Sequence, residues 1–132
     1  MKACLAFVAC LVLTSSVATQ TGASSSVLQE KERQLRIDLE EMRNAIDHYR
    51  GMADRGKFPT QVGSHNYPPD LETLVKGVIV QGKKIQFLHE IPIDPMTSTA
   101  TWGLRESPGG GVFDVYTKSE GTALDGTKYK DW

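Results

Sequence analysis

The chain has 132 residues, which is room for one modest hydrophobic core and excludes a multi-domain enzyme within this chain. Its 15 Lys and Arg oppose 16 Asp and Glu, a formal net charge of -1, so the protein has no positive field to attract nucleic acid. The hydrophobic fraction of 39% and the charged fraction of 23% are those of an ordinary globular domain, and the chain is expected to fold.

The first 18 residues have the three parts of a secretory signal peptide. A positive charge at Lys2 precedes an uninterrupted apolar run from Ala3 to Leu13, and Ser16 and Ala18 satisfy the small-residue rule for cleavage after Ala18. The run is shorter than the roughly 20 apolar residues that a membrane-spanning helix needs, so cleavage is favoured over anchoring.

We predict three segments. Residues 1–18 are a signal peptide or a truncated membrane-anchoring segment, residues 19–27 are a polar linker or the start of a helix, and residues 28–132 form one domain. Because Cys4 and Cys10 both lie in the first segment, the domain has no thiol for a disulfide bond or a thiolate metal site.

The strongest periodic signal predicts a long amphipathic helix at about 28–50. Apolar residues recur there at steps of mostly three and four, which places them on one stripe: Leu28, Leu35, Leu39, Met42, Ala45, Ile46 and Tyr49. The opposite face has the charges of a solvated surface: Glu30, Arg33, Arg36, Glu40, Glu41, Arg43 and Asp47. Glu32 and Arg36 stand four residues apart, in the order that favours an ion pair.

Capping residues flank this helix. Ser25 or Ser26 is expected to cap its start, and Gly51 to help end it. Ile37 lies on the polar side, where it is either simply exposed or packs against another subunit.

A loop and a second, short helix are predicted next. The Gly, Pro and Asn residues of 56–69 forbid a continuous helix. Pro69 near the start and Gly77 just past the end predict a helix at about 69–76, with a short strand to follow at 78–80.

The last third predicts an antiparallel hairpin from the β-type runs 101–105 and 112–117, which a Gly-rich turn separates. Alternation in the second run predicts that Phe113 and Val115 face the long helix. The predicted fold class is therefore α+β: a long N-terminal helix packed on a small antiparallel sheet, with a short second helix and an ordered C-terminal loop.

The sequence contains no recognisable catalytic motif. His48, His65 and His89 lack the spacing of metal-ligand pairs, and there is no nucleophile elbow, Walker loop or dinucleotide fingerprint. We therefore predict no catalytic residue and no organic cofactor. A small hydrolase would need a nucleophile with a base; Ser119 and His89 could be proposed, but nothing in the sequence places them together.

The C-terminal loop concentrates oxygen donors: Thr117, Ser119, Glu120, Thr122, Asp125, Thr127 and Asp131. Such a loop suits Ca²⁺, which takes six to eight oxygen ligands in flexible geometry. The spacing is not that of an EF-hand, and Asp125-Gly126 is also an ordinary turn former, so a plain polar loop is the alternative. In either case Tyr129 and Trp132 are expected to pack against the domain.

From about Leu28 to Trp132, the order of these segments resembles the pseudopilins of type II secretion systems, in particular the type IV pilin-like family of the major pseudopilin. The helix is similar to the family's amphipathic stem. Four further segments resemble the family. YPPDLETLV at 67–75 is similar to the YP-x-x-L-x-x-L helix start, and LHEIPIDP at 88–95, which WGLR at 102–105 follows, is similar to the L-x-x-I-P-x-D-P turn. FDVYT at 113–117, together with ALDGT at 123–127 and Trp132, is similar to the closing strand and loop.

This resemblance implies a pilin-like fold and a structural, non-enzymatic function. The protein would be a subunit of a periplasmic pseudopilus that supports protein export across the outer membrane. Its partners would be other pseudopilin subunits and inner-membrane secretion components, with membrane contact through the N-terminal apolar segment. The resemblance also implies Ca²⁺ held near Thr117, Glu120 and Asp125, although Lys128-Tyr129 replaces the Asp-Ile that closes the family's loop before its final Trp.

The N-terminus departs from the family's pattern. Members begin with a leader ending in Gly, followed by Phe and a Glu inside a spanning apolar helix, whereas no acid precedes Glu30 here. Either the start lies upstream, or an ordinary signal peptide has replaced the family's leader. The second case predicts a soluble periplasmic adapter or binding domain that kept the pilin-like fold.

Overall fold

The computed structural model of the protein describes residues 20–132, and side chains from residue 24 onward. The predicted signal or anchoring segment at 1–18 lies outside the described residues, as does Thr19. The chain is α+β, as predicted, with one long helix, one short helix and two small antiparallel sheets. In chain order the elements are α1 (Gln20–Asp54), α2 (Leu71–Lys76), β1 (Val78–Val80), β2 (Lys83–Ile85), β3 (Gly103–Glu106), β4 (Val112–Tyr116) and a short 3₁₀ turn (Tyr129–Asp131).

Helix α1 is longer than the periodicity predicts. Ser25 and Ser26 lie inside it, so the predicted N-cap at these residues is wrong. The segment from residue 20 to residue 27 belongs to the helix, so of the two predicted alternatives for it, polar linker or helix start, the structure shows the helix start.

Helix α1 ends at Asp54, and Gly56, not Gly51, is the glycine that terminates it. The Gly56 amide bonds to the Ala53 carbonyl (2.9 Å) and the Lys57 amide to the Met52 carbonyl (3.1 Å), the two bonds of a Schellman motif. Gly56 adopts the left-handed conformation that this motif requires, with φ of 69°. Gly51 is interior to the helix, where the packing of Met52 and Ala53 on the core offsets its modest cost.

The apolar stripe of α1 forms the centre of the core, as predicted. Six of its residues are nearly or fully buried: Leu35, Leu39, Met42, Ala45, Ile46 and Tyr49. They pack with residues from the rest of the domain, chiefly Leu71, Leu74, Leu88, Trp102, Val112 and Val115. The predicted stripe residue Leu28 is only half-buried, and Ile37 on the polar side is 42% exposed.

Helix α2 begins two residues later than predicted. Asp70 is its N-cap: the residue is extended, and its side chain accepts a hydrogen bond from the Thr73 amide at 2.7 Å. Gly77 closes the helix by donating its amide to the Thr73 carbonyl. The Leu74 carbonyl then accepts hydrogen bonds from Phe87 and Leu88, which fixes the following segment against α2.

Strand β1 is where the sequence predicts it, but its partner β2 is not predicted. Antiparallel pairing joins Val78 to Ile85 and Val80 to Lys83 across a two-residue turn. Both turn residues, Gln81 and Gly82, have positive φ, as a type I′ hairpin turn requires. Because two of the three residues of β2 are Lys and the strand is largely exposed, its composition gives no strand signal.

The predicted second hairpin is formed by β3 and β4, and it makes a separate two-stranded sheet instead of joining β1 and β2. The prediction that Phe113 faces α1 is wrong. Arg105 pairs with Asp114 but Glu106 pairs with Val112, so Phe113 is the extra residue of a β-bulge. The bulge turns Val112 and Val115 inward together, both with zero exposure, and leaves Phe113 44% exposed.

Candidate interaction surface

The first turns of α1 extend beyond the domain. The first fully buried residue of the helix is Leu35, and between residues 24 and 34 only Leu28 and Glu32 are even half-buried. Helix α1 therefore runs for about 22 Å before Leu35, at 1.5 Å per residue, and most of the side chains described on that stretch are exposed. Val27 is 57% exposed on this stretch, next to Leu28. We call residues 27–31 the free stem.

The C-terminal loop, residues 117–132, closes over α1 just past the free stem. The Glu32 carboxylate accepts hydrogen bonds from the Leu124 amide and the Tyr129 hydroxyl, both at 2.8 Å. Burial, together with this hydrogen bond to Glu32, raises the pKa of Tyr129 to about 12. The phenol therefore stays protonated at neutral pH and keeps donating to Glu32.

The closing aromatic residues pack as predicted. Tyr129 is 4% exposed and meets the Trp132 ring edge-on, with centroids 5.2 Å apart. The Arg36 guanidinium lies 3.7 Å from the centroid of the Trp132 ring, a cation–π contact. The Trp132 indole donates to the Thr127 hydroxyl at 2.8 Å, which ties the loop to itself.

Arg43 joins α1 to both the hairpin and the chain's last described residue. Its guanidinium donates to Asp114 Oδ1 (2.8 Å), to the Val115 carbonyl (3.0 Å) and to the main-chain oxygen of Trp132 (2.7 Å). Arg105 approaches the other oxygen of Asp114 at 3.3 Å, so this carboxylate is bracketed by two arginines. The three bonds hold β4 and the C-terminal loop on the same side of α1.

Arg36 is exposed, as the predicted solvated face requires, and it stacks on Trp132. For Arg43, which is half-buried, the prediction of a solvated position is wrong. The predicted pair of Glu32 with Arg36 is not among the ion pairs of residues 24–132, because each side chain binds the C-terminal loop. Glu32, Arg36 and Arg43, spaced four and seven residues apart, form what we call the polar line of α1. This helical spacing, together with a loop that ends in two aromatic residues, is the sequence signal that could have identified them.

The three residues predicted to hold calcium have separate surroundings. The Thr117 side chain is fully buried; its hydroxyl donates to Asp94 Oδ2 and accepts from the Ser119 amide. The Glu120 carboxylate is 89% exposed and lies 4.0 Å from Lys130. Asp125 caps a turn by accepting from the Thr127 hydroxyl and amide, which lower the pKa of its carboxyl. Within residues 24–132 there is no group of three or more His, Cys, Asp or Glu arranged to hold a metal ion.

The three histidines are distributed over the domain. His48 is exposed and packs edge-on against Phe87, His65 lies in a loop with φ of 54°, and His89 is exposed. The Ser119 hydroxyl accepts a hydrogen bond from the Gly121 amide, and no hydrogen bond between Ser119 and His89 occurs in the described part of the chain.

No family model, no curated protein and no solved structure matches this chain. In residues 20–132, no helix has both the length and the apolar character needed to cross a bilayer.

Replacing Arg43 with Ala should lower the free energy of unfolding by about 2 to 3 kcal/mol, because three hydrogen bonds are lost and Asp114 keeps only Arg105 as a cationic partner. The measurement is urea denaturation of the full chain. The matched control is Arg33→Ala, since Arg33 is exposed and bonds only to Glu30, three residues away. The control should change stability little. Equal losses in the two variants would show that Arg43 does not hold the domain on α1.

Proposed function

We propose that this protein is a structural subunit of a type II secretion pseudopilus, with a pilin-like fold, and that it supports protein export across the outer membrane. Two independent features support the proposal. One is the resemblance of five sequence segments, in the family's order, to the pseudopilins. The other is the architecture: a 35-residue helix to which a small α+β domain is fastened from Glu32 onward.

The free stem is the observation that carries the proposal. A helix that must bury its apolar stripe within one domain gains nothing by continuing for several turns before its first fully buried residue. A helix that packs with copies of itself needs such a length, and Val27 and Leu28 give this stretch apolar side chains for that contact. In the proposed filament, neighbouring subunits and inner-membrane secretion components cover the stem, and the N-terminal apolar segment provides the membrane contact.

The polar line suits the same role. A filament subunit that transmits force needs its domain fixed to the helix in one orientation. Arg43 binds β4 and Trp132, and Glu32 binds the Leu124 amide and Tyr129. These two attachment points lie 11 residues apart along α1. At 1.5 Å per residue this is about 16 Å, enough separation to resist rocking of the domain. Such a subunit works by binding its neighbours and catalyses no reaction.

The alternative is a soluble periplasmic adapter or binding domain exported by an ordinary signal peptide. The observation that favours it is the charge, apolar run and small residues of positions 1–18, with cleavage after Ala18. In that case the free stem serves a different partner, and the mature chain begins at Thr19.

Calcium binding by the C-terminal loop is part of the same proposal. Only Glu120 and Asp125 fit a cation readily, because they are exposed carboxylates, whereas the Thr117 hydroxyl is committed to Asp94 and Ser119. The ion would neutralise the two carboxylates and stiffen the loop that covers α1.

Millimolar CaCl₂ should therefore raise the melting temperature of the full chain, and EGTA should reverse the rise, since an ion that binds only the folded state stabilises it. Asp125→Asn should abolish the rise, while Asp47→Asn, on the exposed face of α1, should keep it. An unchanged melting temperature in wild-type protein at millimolar calcium would dispose of the calcium proposal and leave the filament proposal standing.

The filament proposal predicts that Val27→Lys sharply reduces the amount of the protein recovered in filaments sheared from cells of its native host. The physical reason is that a charge would be placed in the contact between neighbouring stems. The measurement is the immunoblot signal in the sheared, pelleted fraction, normalised to the total amount of protein.

The control is Val62→Lys, which changes the same residue type at a fully exposed loop position and should leave filament recovery near the wild-type level. Wild-type protein found only in the soluble periplasmic fraction, with Thr19 as its N-terminus, would refute the filament proposal and support the adapter.

A further inference from the structure

Asp38 is a carboxylate buried in the core side of α1. It lies next to the buried Leu39 and is itself only 4% exposed. It accepts one hydrogen bond, from the Gln34 side chain at 2.8 Å. Buried carboxylates are normally paired with a cation, yet Asp38 takes part in none of the ion pairs of residues 24–132.

The surroundings of Asp38 are acidic. It lines a cavity of about 380 Å³ that opens to solvent between α1 and the segment 89–93, with Glu41 on the helix and His89 and Glu90 on the segment. Asp94, fully buried, lies behind this segment and acts electrostatically on Asp38. Of these titratable groups only His89 can carry a positive charge, and it is exposed.

The polar groups of Asp94 have hydrogen-bond partners within the domain. Its Oδ1 accepts from the Met96 amide at 2.8 Å, its Oδ2 accepts from the Thr117 hydroxyl, and its amide donates to the Thr99 carbonyl at 2.8 Å. Both of its carboxylate oxygens therefore have a hydrogen-bond donor. Of the two buried carboxyls, Asp38 has the weaker support for a negative charge, since a single donor reaches it.

We propose that Asp38 is a proton-binding site that tightens the contact between α1 and the segment 88–94 when the surroundings become mildly acidic. A neutral Asp38 removes a buried charge, ends the repulsion from Asp94 and gains an O–H that can donate within the cavity. This proton-dependent contact lies within one domain, so it does not depend on whether the protein assembles into filaments.

The direction of the electrostatic shift agrees with this geometry. Burial raises the pKa of the Asp38 carboxyl, the hydrogen bond from Gln34 opposes the rise, and Asp94 adds to it. A carboxyl whose pKa is higher in the folded state binds more protons when folded. The stabilisation is therefore complete below the unfolded pKa, and it is lost as the pH rises through the folded pKa.

The test compares the melting temperatures of full-length wild type, Asp38→Asn and Glu41→Gln from about pH 4 to pH 8, the range that brackets ordinary and raised carboxyl pKa values. The asparagine side chain keeps an acceptor for Gln34 but carries no charge. At neutral pH the Asp38→Asn variant should melt about 3 °C or more above wild type, and the difference should vanish as the pH falls to about 4. Glu41→Gln removes an exposed acid from the same cavity and should follow the wild-type curve.

Two further readouts keep the proposal falsifiable should Asp38→Asn fold poorly. In wild-type protein, ¹³C NMR should place the titration midpoint of the Asp38 carboxyl above its ordinary value of 3.8. The Asp94 amide should also exchange more slowly at mildly acidic pH than the intrinsic pH effect explains. A midpoint at or below the ordinary value, or a folded Asp38→Asn variant no more stable than wild type at neutral pH, would overturn the proposal.

Discussion

The attachment of the domain to α1, by apolar packing and by hydrogen bonds, is the constraint on which the rest of the structure depends. One side of the helix buries the stripe from Leu35 to Tyr49 against α2 and β4, and the adjoining polar line binds the C-terminal loop. Apolar burial supplies most of the free energy but is not directional. The hydrogen bonds of Arg43 and Glu32 fix the rotation and register of the helix relative to the β3–β4 hairpin and the C-terminal loop, because charge-assisted hydrogen bonds require specific donor and acceptor positions.

These bonds join parts of the chain that are far apart in sequence. Arg43 and Asp114 are separated by 71 positions, and Glu32 and Tyr129 by 97. We therefore expect the C-terminal loop to dock after α1 and the β3–β4 hairpin have formed, since closing such long loops costs entropy that earlier contacts must offset. Once docked, the loop holds the domain in one orientation on α1.

The sequence predicts α1, α2, β1 and the last hairpin because each has a local signal: a stripe of period 3.6, a Pro and Gly boundary, or a β-branched run. It misplaces Phe113 because a bulge of one residue reverses the alternation, and no residue type in 112–117 marks the bulge. It misses β2 because Lys83 and Lys84 are poor strand formers that pair only through the turn at Gln81-Gly82. Gly51 and Gly56 are both glycines that could terminate the helix. The packing of Ala53 on the core favours termination by Gly56.

The polar residues are harder to assign than the apolar ones. Helical periodicity and residue type identify Leu39 and Ile46 as core residues. The same periodicity places Arg43 on the exposed face, because the helix pattern cannot locate its partners Asp114 and Trp132, which lie on other elements. The burial of Asp38 cannot be predicted from the sequence for the same reason, since the helix pattern does not locate the segment 89–93 that lines the cavity with it. The calcium residues follow from the resemblance alone, and the structure gives Thr117 a different task by bonding its hydroxyl to Asp94.

Amide hydrogen exchange along α1 in the full chain, kept as a monomer, tests the central claim most directly. We expect one cooperative block of slowly exchanging amides from about residue 36 to residue 54, and fast exchange at residues 27–31, where most side chains are exposed. Uniform protection from residue 20 onward, or a break in protection at Gly51, would contradict a single continuous helix that the domain holds from Glu32 onward.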